Sequence, residues 1–159
     1  MKARIASKNE LEKIFTISFD IWPRSENLEE HIKGCFNHSE YQEGEWHVLG
    51  SPGDLKCVLI LYTFDPKLKG IGTVMTPFKY RGQGLATDLL EQVIKACDQM
   101  HPTPNVLLFS EISPAFYERF GFRSLPSKFQ KKPGTSCMIR FAHGRQEKGP
   151  YPEKLPEPF

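Results

Sequence analysis

The chain has 159 residues, 39% of them hydrophobic and 12% aromatic, which suits one domain with a full core. Its formal net charge of +2 is too mild to imply a nucleic-acid partner. No apolar run reaches membrane-span length and the charged N-terminus lacks a signal-peptide core, so a cytoplasmic protein with no membrane partner is expected. Cys35, Cys57, Cys97 and Cys137 form no C-x-x-C pair. Neither a metal site nor a disulfide framework is expected, and Cys57 and Cys97 read as small core residues.

Residues 2–6 read as a short strand. Ser7-Lys8-Asn9-Glu10 is a capping box. The helix after it carries Leu11, Ile14, Phe15, Ser18, Phe19 and Trp22 on one face, and Pro23 ends it. Ser25 is the expected cap of a second helix whose apolar positions are Leu28, Ile32 and Phe36, and residues 37–44 read as a loop. Residues 46–49 predict a strand, Ser51-Pro52-Gly53-Asp54 a turn, and residues 57–64 a strand covered on both faces. A turn at 65–69 leads to a third central strand, 70–76.

A helix with Ala86, Leu89, Leu90, Val93, Ile94 and Cys97 on one face follows, until Pro102 and Pro104 exclude it. Residues 106–109 predict a buried strand. Ser113-Pro114 predicts a helix start, and Gly121 a left-handed stop. Residues 122–125 and 137–141 read as late strands. The fold class is α/β: a central mixed sheet with helices on both faces, in the order β-α-α-β-β-β-α-β-α-β-β. Residues 1–142 form the expected single domain, and the Pro-rich residues 143–159 an extended tail.

The segment richest in chemistry is Tyr80-Arg81-Gly82-Gln83-Gly84-Leu85-Ala86, at a strand-to-helix junction. Two glycines and a small residue there leave backbone N–H groups pointing one way at a helix N-terminus, where the helix dipole adds positive charge. Such a cradle suits a pyrophosphate. No phosphate-loop motif ending in Lys and Ser or Thr is present. A dinucleotide fingerprint fits poorly, because the spacing is Gly82-x-Gly84-x-Ala86, after three strands, with Arg81 out of place. An ordinary glycine turn remains the plain alternative.

The same run resembles the acyl-CoA signature of the GNAT N-acetyltransferase superfamily, with Arg81 first, Gly84 fourth and Ala86 sixth. Ala115-Phe116-Tyr117-Glu118-Arg119-Phe120-Gly121-Phe122 resembles that family's second hallmark, a short helix before a strand. Two motifs in the right order, with a buried strand between them, make a merely packed Tyr117 a poor explanation of the pair. The resemblance covers roughly residues 57–122.

It implies acetyl-CoA as co-substrate and no metal. The third and fourth central strands would splay at their C-terminal ends. Pantetheine would run along the backbone of Val74, Met75 and Thr76, and the pyrophosphate would take the N–H groups of Gly82, Gln83, Gly84, Leu85, Ala86 and Thr87. Arg81 would help define the turn. Ser110 stands where many relatives carry an asparagine that touches pantetheine, and it can still donate one hydrogen bond.

The implied reaction is direct attack of a primary amine on the thioester in a ternary complex. Tyr117 is the expected general acid for the leaving thiolate, and a backbone N–H of residues 74–76 the oxyanion donor. Residues 69–76 contain no acid, which departs from the pattern in which a strand carboxylate is the base. Glu111 is the first candidate base, and it reads equally as a solvated or substrate-positioning loop acid. Water can also serve.

Acceptor specificity would come from the first two helices and the late strands: Phe19, Trp22, Pro23, Arg24 and residues 128–134. Trp22 reads more readily as core than as ligand, and His47 as structural. Lys128, Lys131 and Lys132 read as a solvated loop. The wording around Phe109 and Phe116 weakly resembles the much longer fungal lysine N-acetyltransferases, which leaves the acceptor open among small-molecule and peptide amines. A homodimer is compatible with the resemblance, though no residue names an interface. The alternative function is a non-catalytic acyl-CoA-binding module. A nucleic-acid binder would lack the basic stripe it needs.

Overall fold

The Ser7–Glu10 capping box separates β1 (Arg4–Ile5) from α1 (Leu11–Phe19). The computed structural model describes residues 1–145 and 151–159. After α1 come α2 (Leu28–Phe36), α3 (Ser39–Glu43), β2 (Glu45–Ser51), β3 (Asp54–Asp65) and β4 (Leu68–Met75). Then follow α4 (Leu85–Asp98), β5 (Asn105–Ser110), α5 (Ala115–Glu118), β6 (Arg123–Ser124) and β7 (Ser136–Arg140). The strands form a seven-stranded mixed sheet in the order β1-β2-β3-β4-β5-β7-β6, flanked by helices as expected. β4 and β5 pair in parallel from Leu68↔Asn105 to Ile71↔Leu108. β7 inserts between β5 and β6 and runs antiparallel to both.

The chain divides into two compact units, residues 1–62 with 73–94 and residues 63–72 with 95–159. In the first unit, β2 and β3 form a hairpin across the expected turn, with Trp46↔Ile60 and Val48↔Val58 in register. The apolar run of β3 is buried from Cys57 to Tyr62. Phe15 of α1 stacks on Tyr41 at 5.7 Å and meets Phe36 and Trp46 edge-on. Glu10 is buried, and the Arg4 guanidinium grips both its oxygens at 2.6 and 2.7 Å. That hydrogen bonding holds the Glu10 carboxyl down at about 2 against an ordinary 4.5.

Three details of this unit differ from expectation. The α2 cap is Asn27, whose side chain accepts from the Glu30 N–H at 2.9 Å; the Ser25 hydroxyl instead donates to the Asn27 carbonyl. The buried stripe of α2 is His31 and Cys35, while Leu28 and Phe36 are exposed. A polar side chain can take a core position when its hydrogen bonds are satisfied, which apolar spacing cannot reveal. The expected loop at 37–44 contains α3.

The second unit has a core cluster of Leu68, Leu107, Leu125, Cys137, Ile139 and Phe141. Tyr151, Leu155 and Phe159 pack against it, and residues 151–159 contain neither helix nor strand. Residues 146–150 of the expected tail lie outside the described residues. The Phe159 ring sits 5.1 Å from Phe109 and 5.2 Å from Phe64. It also lies over Gly70, where a Cβ would stand 2.5 Å from the ring.

Candidate active site

Gly82 and Gly84 have φ of +74° and +75°, and nothing lies within 4 Å of a Cβ at either position. Their backbone conformation, rather than lack of room, calls for glycine. The helical ladder of α4 opens with the Asp88 N–H donating to the Gly84 carbonyl at 3.0 Å. The amides of Leu85, Ala86 and Thr87 precede that bond and are first-turn donors at the positive end of a 14-residue helix. Arg81 donates from Nε to the Thr76 carbonyl at 3.0 Å and lays its guanidinium over Phe78 at 3.9 Å. The turn is thereby tied back to the end of β4. Within this unit the structure brings together Val74, Met75, Thr76 and Arg81 to Thr87.

Two features beside the cradle escaped the sequence reading. The Tyr80 hydroxyl donates to Asp54, and Lys79 lies 3.6 Å from the same carboxylate. The Tyr80 bond, then the Lys79 and Lys56 charges, hold Asp54 below its ordinary carboxylate range. Thr73 has φ of +50°, a rare value for a β-branched residue, one position before Val74. Nothing in Gly72-Thr73-Val74 announces that twist. Beyond it, the Thr76 hydroxyl donates to the Cys57 sulfur at 3.3 Å, and burial pushes the Cys57 thiol up to about 11.

The second unit holds Ser110, Glu111 and Tyr117. α5 is a single turn that Pro114 starts and Gly121, at φ +88°, closes. Ser113 contributes its carbonyl, which accepts from the Phe116 N–H at 3.1 Å, rather than a side-chain cap. Tyr117 is buried, with its ring edge-on to Phe116 at 4.9 Å and to Phe122 at 6.1 Å. Arg140 fixes the end of the turn. Its Nε donates to the Phe120 carbonyl at 2.9 Å, and its two terminal nitrogens hold Asp98 at 2.8 Å each. Burial opposes the Asp98 charge, and the Arg140 bonds outweigh it, so that carboxyl lies below its ordinary range. Sequence reasoning missed this pair because its partners are far apart in the chain. Ser110 is buried, and its hydroxyl donates to the Ile112 carbonyl at 2.8 Å and accepts from the Ile112 N–H at 3.3 Å. Glu111 is exposed in the same turn.

Of the acceptor candidates, Trp22 is 40% exposed, contrary to the core reading. α1 stops at Phe19, and the Ser18 carbonyl takes the N–H groups of Ile21 at 3.1 Å and Trp22 at 2.7 Å, turning Trp22 off the helix face. Arg24 lies over the Tyr41 ring at 5.1 Å. His47 lies 2.8 Å from Glu45. Lys128, Lys131 and Lys132 are exposed.

A family model described as an acetyltransferase (GNAT) domain matches residues 2–125. The chain belongs to the GNAT acetyltransferase family. Several solved structures share its fold. An acetyltransferase of the GNAT family from Staphylococcus aureus Mu50 superposes with a TM-score of 0.60 at 17% identity, covering 87% of this chain and 97% of its own. A Mycobacterium tuberculosis protein solved in complex with CoA and NLQ gives 0.61 at 16%, covering 87% and 98%. A spermidine N-acetyltransferase chimera from Vibrio cholerae and a human enzyme gives 0.61 at 13%, covering 87% and 92%. At these identities the likeness is one of fold. No curated protein sequence matches significantly. As a GNAT domain the chain is an acyltransferase. Among the described residues no helix is long and apolar enough to cross a membrane.

Proposed function

We propose that this GNAT domain moves the acetyl group of acetyl-CoA to a primary amine by direct attack in a ternary complex. The observation that carries the proposal is the pair of left-handed glycines, Gly82 and Gly84, opening the N-terminus of α4. Amides so arranged suit a pyrophosphate. In this reading Val74, Met75 and Thr76 hold pantetheine by their backbone, Arg81 to Thr87 hold the pyrophosphate, and Ser110 contributes a further polar contact.

The amine nitrogen attacks the thioester carbonyl, the new C–N bond forms, and the C–S bond breaks. Tyr117 gives its phenolic proton to the leaving sulfur. Glu111, or water beside it, takes the proton from the amine. A small-molecule or peptide amine is the acceptor, with Trp22, Arg24 and Glu111 as its contacts. The spermidine enzyme that shares the fold supports that class. Residues 1–142 would be the catalytic domain and 143–159 its appendage. Four buried thiols and a mild charge fit a cytoplasmic setting without a nucleic-acid partner.

The test is acetyl-CoA-dependent thiol release over a panel of amines. Turnover on at least one amine supports the proposal, and tight acetyl-CoA binding with no turnover on any would leave a binding module. Glu111→Gln separates base from bystander. An acidic limb of the pH–rate profile that does not move removes Glu111 from the base role.

A further inference from the structure

His31 is fully buried between α1 and α2, and each of its ring nitrogens has work in the structure. Nδ1 accepts the backbone N–H of Arg24 at 3.0 Å. A backbone amide can only donate, so Nδ1 must present its lone pair and the ring proton must sit on Nε2. Nε2 lies 2.8 Å from the Ser18 hydroxyl and 3.0 Å from the Phe15 carbonyl, and the Ser18 hydroxyl itself donates to that carbonyl at 2.8 Å. The neutral Nε2–H ring therefore closes every bond. A second proton, on Nδ1, would face the Arg24 N–H donor to donor.

We propose that neutral His31 is the positioning residue for the connection 20–27, holding Trp22 and Arg24 in place for the acceptor, and that its protonation releases that connection. The proposal rests on the acceptor assignment of Trp22 and Arg24 above. The titratable or charged groups facing the ring are the Cys35 thiol on α2, at 3.5 Å, and the Arg24 guanidinium on the connection; α1 presents the Ser18 hydroxyl, the Phe15 carbonyl and the Phe19 ring. Burial first, and then the Arg24 charge, lower the His31 pKa, while the Phe15 carbonyl works the other way. The clamp is thus intact above the ordinary histidine range and opens as pH falls through the lowered value.

The Arg24–Ser25 bond is a trypsin site inside the clamped connection, so its cleavage, followed by mass spectrometry in the full chain, reports release without any acyl transfer. His31→Asn can place an amide oxygen where Nδ1 stands; His31→Gln reaches the Nε2 position instead and leaves Arg24 without its acceptor. The expected result is cleavage of His31→Gln about tenfold faster than His31→Asn, the scale of one hydrogen bond. In turnover assays His31→Gln raises the acceptor KM and leaves the acetyl-CoA KM unchanged. Equal cleavage of the two variants would overturn the clamp. Should neither variant fold, nitrogen NMR of the wild-type imidazole decides: an Nε2–H tautomer that persists below the ordinary histidine pKa supports the clamp, and an Nδ1–H tautomer refutes it. If no amine is turned over while cleavage follows the expected order, the acceptor assignment fails and the clamp stands.

Discussion

The glycine turn proposed to cradle the donor and the turn that carries Tyr117 achieve order by opposite means. The cradle is exposed from Arg81 to Gly84, and what defines it is backbone conformation, with φ near +75° at two glycines and a single arginine tying the turn to Thr76. The Tyr117 turn is one helical turn long, and what defines it is side-chain packing: Phe116 and Phe122 against the ring, and Arg140 with Asp98 behind the closing carbonyl. A ligand that binds through its phosphates needs amides in the right direction. A group that hands over one proton needs a side chain that cannot wander. The two regions should therefore fail in different ways when altered.

The largest effect is expected at the phenol. Tyr117→Phe removes the proton and leaves the ring, so kcat should fall by about 100-fold or more with acetyl-CoA affinity unchanged. Steady-state kinetics beside calorimetric binding checks this, and unchanged turnover would break the contrast at its centre. Next comes Arg140→Leu, which takes the guanidinium from Asp98, leaving it the His143 N–H, and the donor from the Phe120 carbonyl; it should cost about 3 kcal/mol of stability in chemical denaturation.

Gly84→Ala meets no atom but must hold a left-handed backbone, at about 1–2 kcal/mol. Its signature is a raised acetyl-CoA KM with kcat at saturation preserved. If it lowered kcat instead, the cradle would be more than a binding device. Arg4→Met leaves the buried Glu10 carboxylate without its guanidinium, a loss that is full at neutral pH and is read by acid titration. Glu10 has its pKa depressed by Arg4, so its contribution is full above about 4.5 and is lost as pH falls toward about 2. The variant should flatten that slope in thermal melts taken across the window.

The same contrast explains what the sequence disclosed. Gly82, Gly84 and Gly121 were legible because a left-handed position limits the choice of residue at that position alone. The strands and α4 were legible because burial repeats at short range. Trp22 continues the apolar spacing of α1 in the sequence, but the helix ends at Phe19, where the Ser18 carbonyl turns the chain off its face. His31 went unseen because a histidine with both nitrogens satisfied leaves no hydrophobic pattern. Arg140 depends on Asp98, 42 residues away, and the positive φ of Thr73 has no mark in its neighbouring residues.

Gly70 has one more consequence. Where its side chain would be, the Phe159 ring rests, so residues 70 and 159 make a single packing choice from opposite parts of the chain. A Cβ at 70 would press on the rings of both Phe159 and Phe64, so alanine there requires them to shift, and a small residue at 159 would uncover space between Phe64 and Phe109. Productive variation at this end of the sheet requires the two codons to be randomised together.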